Sequence, residues 1–457
     1  MSKFPKNFLW GSSTNAQQFE GGRDEDGTGL SIADVRSHFG SGDNENPHPD
    51  SNFDDFKTAS DHYHHLDEDI DLYGEMGFGI YRFSMSWTRI FPNGDDKEPN
   101  QAGLDFYDRM LTALERNHIQ PICTLYAYDL PQALVEKYGG FLDRRCVDAY
   151  ARYVDTVTKY FKGRIKYYVT FNEQNTMVWI PYYTAGVEIK DSTDLFKFDH
   201  HINLAFARAV GIVHENDPEA QVGGNICNTC FYPMTCKPED VAEADASSYK
   251  AYAYGDIFCR GVYPKFYLNR FGNVDFESVI QPGDLELIAG AGTQTDFLSL
   301  TYYMSNISSQ EGSGDTLLDT KRSNPYLPKT IYGWTIDPYG FYHYLMDFSH
   351  RYQKPILILE NGMGTPDVLE KDGSVHDDYR IDYLRAHINK MADAIKDGVE
   401  MIGYCTWSAT DLYSTHEGFE KRYGFVYVDK NDDLKRYRKD SFYWYKKVIV
   451  SNGEDLD

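Results

Sequence analysis

Two carboxylates stand out by position. Tyr167-Tyr-Val-Thr-Phe-Asn-Glu173 begins as a run of aromatic and β-branched residues, the composition of a strand buried on both faces, and ends in Asn172 and Glu173. Pro355-Ile-Leu-Ile-Leu359 repeats the plan, with Glu360-Asn361-Gly362 at its end. A Glu at the end of a buried strand has left the core and faces whatever lies above it. Two parallel strands ending this way hold two carboxylates rigidly across one pocket. That is the equipment of glycoside hydrolysis, in which one carboxyl is the acid/base and the other the nucleophile, or the base for water. The competing reading makes them unrelated glutamates, capping helices or sitting in salt bridges. The surrounding elements decide between the two.

Eight strand-like runs are spaced along the chain: Phe8–Ser12, Gly79–Met85, Pro121–Tyr126, Tyr167–Phe171, Ala220–Ile226, Asp296–Tyr303, Pro355–Leu359 and Met401–Thr406. Helical periodicity fills much of the rest, most clearly at Tyr63–Met76, Leu104–Asn117, Arg144–Phe161, His200–Asn216, Tyr339–Tyr352 and Tyr379–Lys396. Strands alternating with helices imply a parallel sheet, and eight such units over 457 residues predict one closed (β/α)8 TIM barrel as a single domain over 1–457. Function then belongs at the C-terminal ends of the strands. Gln17, Gln18 and Glu20 follow the first run. Arg82, Trp87 and Arg89 accompany the second, Tyr302 and Tyr303 end the sixth, and Trp407 follows the eighth. Amides, aromatics and acids on one face suit a polyhydroxylated ring. The Gly/Asp/Asn-rich stretches Gly40–Asp55 and Glu311–Pro328 are expected to be long loops on that face.

Charge and composition exclude several classes. A net charge of −25 is the opposite of a nucleic-acid footprint, and it means that an anionic substrate needs a local cluster of positive charge. No apolar run reaches the length of a membrane span, and the first residues show no signal-peptide core. Seven cysteines, an odd number, fit reduced thiols and a cytoplasmic location. Cys227-Asn-Thr-Cys230 has no second pair to make a zinc site, and His62, His64 and His65 lie at a helix start without a carboxylate triad. No metal is expected. A homo-oligomer is left open.

These residues carry a resemblance. Phe8-Leu-Trp-Gly-Ser, Gln18-Phe-Glu-Gly21, Tyr81-Arg-Phe-Ser-Met-Ser-Trp87, Arg89-Ile-Phe-Pro92, Thr170-Phe-Asn-Glu173, Glu360-Asn-Gly362 and Arg422-Tyr-Gly-Phe-Val-Tyr-Val-Asp429 make the chain similar from end to end to glycoside hydrolase family 1. The resemblance implies retaining hydrolysis of β-glycosides without a cofactor. Glu360 would be the nucleophile and Glu173 the acid/base, their carboxyl groups roughly 5–5.5 Å apart. Asn172 would bind the sugar 2-hydroxyl, Gln18 the 3- and 4-hydroxyls, and Arg82 and Tyr303 would orient Glu360 and hold it ionised. Trp334 is expected among the aglycone contacts, and Trp407 among those to the sugar.

The segment after the eighth strand narrows the substrate. Family members acting on neutral sugars read N-F-E-W there, and the Glu grips the 4- and 6-hydroxyls. This chain reads Leu412-Tyr-Ser-Thr415, followed by Lys421 and Tyr423. Ser414, Lys421 and Tyr423 resemble the signature of the 6-phosphoglycosidases of the family. A Glu facing a phosphate at about 4 Å would cost about 4 kcal/mol per charge pair at an effective dielectric near 20. Serine removes that repulsion, and Lys421 supplies the positive charge. The competing reading is a solvated Lys421-Arg422 pair in a loop. The expected substrate is a 6-phospho-β-glucoside, since relatives preferring 6-phosphogalactosides often carry Trp where this chain has Thr415. A 6-phospho-β-galactosidase, a neutral β-glucosidase and a catalytically weak sugar-binding homologue are the alternatives. The chain departs from the family after the third strand. Thr124-Leu-Tyr-Ala-Tyr-Asp-Leu-Pro131 places Ala127 where a His usually binds the 3-hydroxyl, and Tyr128 where Trp is common.

Overall fold

A computed structural model of the chain describes residues 3–35, 55–227, 230–310, 323–415 and 417–457. Most of the two stretches expected to be long loops lies outside these residues. Eight strands, β1 (Leu9–Ser13), β2 (Ile80–Ser84), β3 (Gln120–Thr124), β4 (Tyr167–Val169), β5 (Gln221–Cys227), β6 (Phe297–Tyr302), β7 (Ile356–Asn361) and β8 (Met401–Trp407), close into a parallel barrel. Each pairs with its sequence neighbours, and β8 returns to β1 with Leu9 opposite Gly403 and Ser13 opposite Trp407.

The barrel interior is filled by side chains from alternate positions of these strands, among them Ile80, Ile122, Val169, Phe297, Leu357, Leu359 and Cys405. Outside it, a continuous apolar layer packs the strands against helices. Most helices fall where the periodicity places them: Arg144–Tyr160, Pro338–Tyr352 and Asp378–Lys396 differ from expectation by one residue at one end. Asp143 and Asp337 accept hydrogen bonds from Arg145 and Gly340 at the first turns. The largest departures are two long helices. The helix expected over His200–Asn216 begins at Ser192, and a helix over Pro238–Arg260 has no expected counterpart. Over most of its length the second buries small residues, Ala244, Ser247, Ala251 and Ala253, and its large apolar side chains, Tyr254, Ile257 and Phe258, come only in its last turns, too few to make an apolar stripe visible in sequence.

Strand phase decides which residues reach the upper mouth. Ile80 faces the barrel interior, so Arg82, two residues on, faces the same way one layer higher. In β7 the phase is reset. Leu300 pairs with Ile358 and Thr301 with Glu360, which leaves Leu359 as the extra residue of an irregularity. Leu359 faces inward, and the bulge lets Glu360, its immediate neighbour, enter the barrel mouth as well. Gly362 allows the close approach that follows, since a Cβ there would stand 2.5 Å from the Trp407 carbonyl oxygen.

Candidate active site

Glu360 is 4 % exposed and held from two sides. Arg82 Nη1 donates to Oε1 at 2.9 Å, and the Tyr303 hydroxyl donates to Oε2 at 2.8 Å. Arg82 is itself fixed by acceptors on three elements: Nε to Thr124 Oγ1 at 2.7 Å, Nη1 to Asn15 Oδ1 at 2.9 Å and Nη2 to Asn172 Oδ1 at 2.6 Å. One buried guanidinium thus binds the nucleophile candidate to the amide expected at the 2-hydroxyl. Gln18 joins through its own amide, which accepts from Asn15 at 3.3 Å and donates to the Tyr413 carbonyl at 3.1 Å.

Glu173 stands past the end of β4, before the short helix Gln174–Met177, with its backbone in the left-handed region at φ 41°. It occupies the cap position, yet its side chain makes no capping hydrogen bond, so the helix-cap reading fails. The backbone N–H of Glu173 donates to Asn225 Oδ1 at 2.6 Å, and the Tyr128 hydroxyl donates to its carboxyl Oε2 at 3.0 Å. The Cys227 thiol also donates towards this carboxyl.

The two carboxyls differ electrostatically. Burial, aided by the charge of Glu360, pushes Glu173 up to about 8. Burial also raises Glu360, whereas Arg82 and Tyr303 pull it down. A low-lying nucleophile was the expectation. Arg82 acts in that direction, but the desolvation of a fully enclosed carboxyl is the larger effect. The asymmetry remains, because Glu360 has a guanidinium in direct contact and ionises first, and its charge then keeps the proton on Glu173.

The expected phosphate residues line a connected wall. Trp407, Leu412, Tyr423 and Phe19 form one buried apolar cluster, with Tyr303 packed against it. Tyr303 lies 5.4 Å from the Trp334 ring and 6.5 Å from that of Tyr423, centroid to centroid. Lys421 is 2 % exposed, and its Nζ lies 4.0 Å from the Trp334 ring and 4.4 Å from that of Tyr332. One ring therefore separates the lysine from the tyrosine that holds Glu360. Trp334, expected among the aglycone contacts, packs over the lysine. Ser414 is buried at the foot of a tight turn, with its backbone paired in both directions to Gly418. The loop reading of Lys421-Arg422 fails because the two diverge. Arg422 Nη1 is anchored on Asp411 Oδ2 at 2.8 Å and on the Val428 carbonyl at 2.9 Å, while Lys421 meets Glu417 at 3.2 Å. Burial lowers the affinity of Lys421 for its proton, and Glu417 opposes that shift.

Other residues assigned to the mouth lie elsewhere. Arg89 is committed to Glu20 at 2.8 Å and to the Gly21 carbonyl at 2.5 Å. Trp87 is buried against Tyr153, and the Tyr302 hydroxyl donates to the Asp337 carbonyl. These residues brace the barrel from outside. Each of the three histidines has its own carboxylate, Asp69 for His62, Asp61 for His64 and Glu68 for His65. Among the described residues no group of three or more His, Cys, Asp or Glu is placed to hold a metal, and no helix is long and apolar enough to cross a membrane. Sequence reasoning missed Asn15, Asn225, Cys227, Tyr332 and Glu417 as neighbours of these groups. Three of them stood close to a recognised motif: Asn15 three residues before Gln18, Cys227 at the start of Cys227-Asn-Thr-Cys230, and Glu417 between Ser414 and Lys421.

Comparison with known proteins gives one answer. A profile of glycosyl hydrolase family 1 matches residues 1–454. A 6-phospho-beta-glucosidase of Clostridium longisporum is 41% identical over 475 residues, spanning 99% of this chain and 98% of that one. An aryl-phospho-beta-D-glucosidase of Bacillus subtilis (strain 168) is 40% identical over 468 residues, with 99% of each chain covered. Among solved structures, the family 1 β-glucosidase from Thermotoga maritima superposes with a TM-score of 0.88 at 34% identity over 99% of both chains. With a profile match over nearly its whole length, the chain belongs to glycosyl hydrolase family 1.

Proposed function

We propose that this protein is a 6-phospho-β-glucosidase, which hydrolyses 6-phospho-β-D-glucosides with retention and releases glucose 6-phosphate. The observation that carries the reading is the buried Lys421, one aromatic ring from the tyrosine that holds Glu360, in an otherwise strongly acidic chain. A lysine enclosed by Trp334 and Tyr332 has lost most of its hydration, so it binds an anion more strongly than an exposed one would. The names of full-length relatives at about 40% identity support the same substrate class.

The chemistry follows from the two carboxyls. Ionised Glu360 attacks the anomeric carbon from the α face as Glu173 gives its proton to the leaving glycosidic oxygen, and a covalent glycosyl ester forms. Glu173, now a carboxylate, takes a proton from water. The water oxygen attacks the anomeric carbon, and Glu360 leaves as the carboxylate. Two inversions restore the β configuration. Arg82 holds Glu360 and Asn172 in one frame, so the 2-hydroxyl contact and the nucleophile move together. In this reading Gln18 binds the 3- and 4-hydroxyls of the ring, Trp407 is the platform beneath it, and Ser414, Lys421 and Tyr423 receive the phosphate. No cofactor takes part. A cytoplasmic location accords with a substrate too highly charged to cross a bilayer unaided, and all seven cysteines are free thiols. The test is nitrophenol release from p-nitrophenyl β-D-glucoside with and without a 6-phosphate, and from the 6-phosphogalactoside. Preference for the unphosphorylated compound would refute the phosphate assignment.

A further inference from the structure

Tyr128 follows β3 with its backbone in the left-handed region at φ 64°, an uncommon conformation for a bulky aromatic residue that marks a locally strained position. Its side chain is buried, and its hydroxyl stands 3.0 Å from Glu173 Oε2 and 2.8 Å from Thr176 Oγ1. Thr176 sends its own hydroxyl hydrogen to the Glu173 carbonyl oxygen at 2.8 Å, so towards Tyr128 it is an acceptor. The tyrosine therefore has one hydrogen and two acceptors. An ionised Glu173 is the stronger acceptor and takes the hydrogen; a protonated Glu173 shares it with Thr176.

We propose that Tyr128 is a positioning residue for Glu173: its hydroxyl stabilises the carboxylate form that accepts the water proton in the second half-reaction, and it holds Oε2 so that Oε1 carries the exchangeable proton. The inference rests on the acid/base role given to Glu173 above. The groups facing that carboxyl are Glu360 from β7, Arg82 from β2, Cys227 from the end of β5 and Tyr128 from the segment after β3. Burial and Glu360 favour the protonated form, whereas Cys227, Tyr128 and Arg82 favour the charged one. Removal of the Tyr128 hydroxyl therefore shifts the balance towards the proton. Position 128 is where the family commonly has Trp, so this is a feature of the present chain beside its Ala127.

The test is the pH profile of kcat/KM on a 6-phospho-β-glucoside with a poor leaving group, which requires protonated Glu173 and falls on the basic side as that proton is lost. Loss of the limb in Glu173→Gln assigns it to Glu173. Tyr128→Phe then moves the limb upward by roughly one pH unit, the size of one hydrogen bond to a charged group. In the same variant, the acid limb of kcat on the dinitrophenyl 6-phosphoglucoside, limited by the second half-reaction, also moves upward, because Glu173 must be ionised to act as base there and has lost a donor to its carboxylate. Thr176→Val removes the competing acceptor and moves the limb downward. A limb that belongs to Glu173 yet stays in place in both variants, with thermal midpoints like the parent, overturns the role of Tyr128 alone. Survival of the limb in Glu173→Gln overturns the acid/base assignment beneath it.

Discussion

Replacing Lys421 by Ala removes a buried ammonium and changes the company its partner keeps. Lys421 is 2 % exposed, so a charge-assisted hydrogen bond from Nζ to a phosphate oxygen is weakly screened. Its loss is worth about 1.5–3 kcal/mol, or ten- to a hundredfold in kcat/KM. A second effect adds to this. Glu417, 3.2 Å from Nζ, is left without its cation and faces the incoming phosphate. Two unit charges roughly 6 Å apart repel by about 2.8 kcal/mol at an effective dielectric near 20, and less once water fills the vacated volume. The expected loss on p-nitrophenyl β-D-glucoside 6-phosphate is therefore about a hundredfold or more. The unphosphorylated glucoside should change by less than about threefold. Adding Glu417→Gln to Lys421→Ala should restore roughly tenfold, because the repulsive partner has gone. The assay is kcat/KM on both substrates for the two variants, with thermal midpoints to show that each is folded. Comparable losses on both substrates, or no recovery in the double variant, would show that this segment shapes the pocket without reading the phosphate.

The remaining expectations use the carboxyls and the site after β3. Glu360→Ala should abolish turnover, while Glu173→Ala should slow poor leaving groups most; with azide, Glu173→Ala should give the β-glycosyl azide and Glu360→Ala the α product, and the same anomer from both would undo the assignment. Glu173→Gln should raise the melting temperature at pH 8 more than at pH 5. The native carboxyl keeps its proton up to about 8, whereas the unfolded one releases it near 4.3, so the wild type loses stability as pH rises between those values and glutamine does not; equal gains at both pH values would contradict the raised pKa. Ala127→His should lower kcat/KM on a plain 6-phosphoglucoside and destabilise the fold by about 1–3 kcal/mol through overpacking, because Ala127 has 0% exposed surface and its carbonyl accepts from Gln17; improved turnover at unchanged stability would mean that the usual imidazole site is open after all.

The strands were readable because barrel strands are buried on both faces and leave runs such as Ile-Leu-Ile-Leu with little ambiguity. The acids at their ends were readable for the same reason, as the first charges after an apolar run. What stayed hidden followed from geometry that composition does not encode. The bulge at Leu359 is invisible in sequence, and without it alternation would set Leu359 and Glu360 on opposite faces of β7. Trp87, Arg89 and Tyr302 were placed at the mouth from proximity to strand ends. Their side chains turn outward, because a guanidinium beside Glu20 and an indole against Tyr153 are better satisfied there than over an open pocket.

The two departures from the family after β3 become intelligible together once the side chains are in place. With no imidazole at position 127, the neighbouring Tyr128 is a side chain that could offer a hydroxyl to the 3-hydroxyl. Its hydroxyl is instead engaged by Glu173 and Thr176. Ala127 is closed over, and its carbonyl holds Gln17. On the role proposed for Tyr128, the segment would tune the acid/base in place of holding the sugar. The same logic governs Lys421. In a chain of net charge −25, a buried ammonium has Glu417 beside it, whose charge opposes the burial that weakens its hold on the proton. On the phosphate assignment proposed above, a dianion would compete with a single carboxylate and win on charge. A neutral 6-hydroxyl meets a lysine that already has a partner, and gains little from it. Discrimination at this wall is therefore a contest between two anions for one cation, and the serine at position 414 matters because it adds no third.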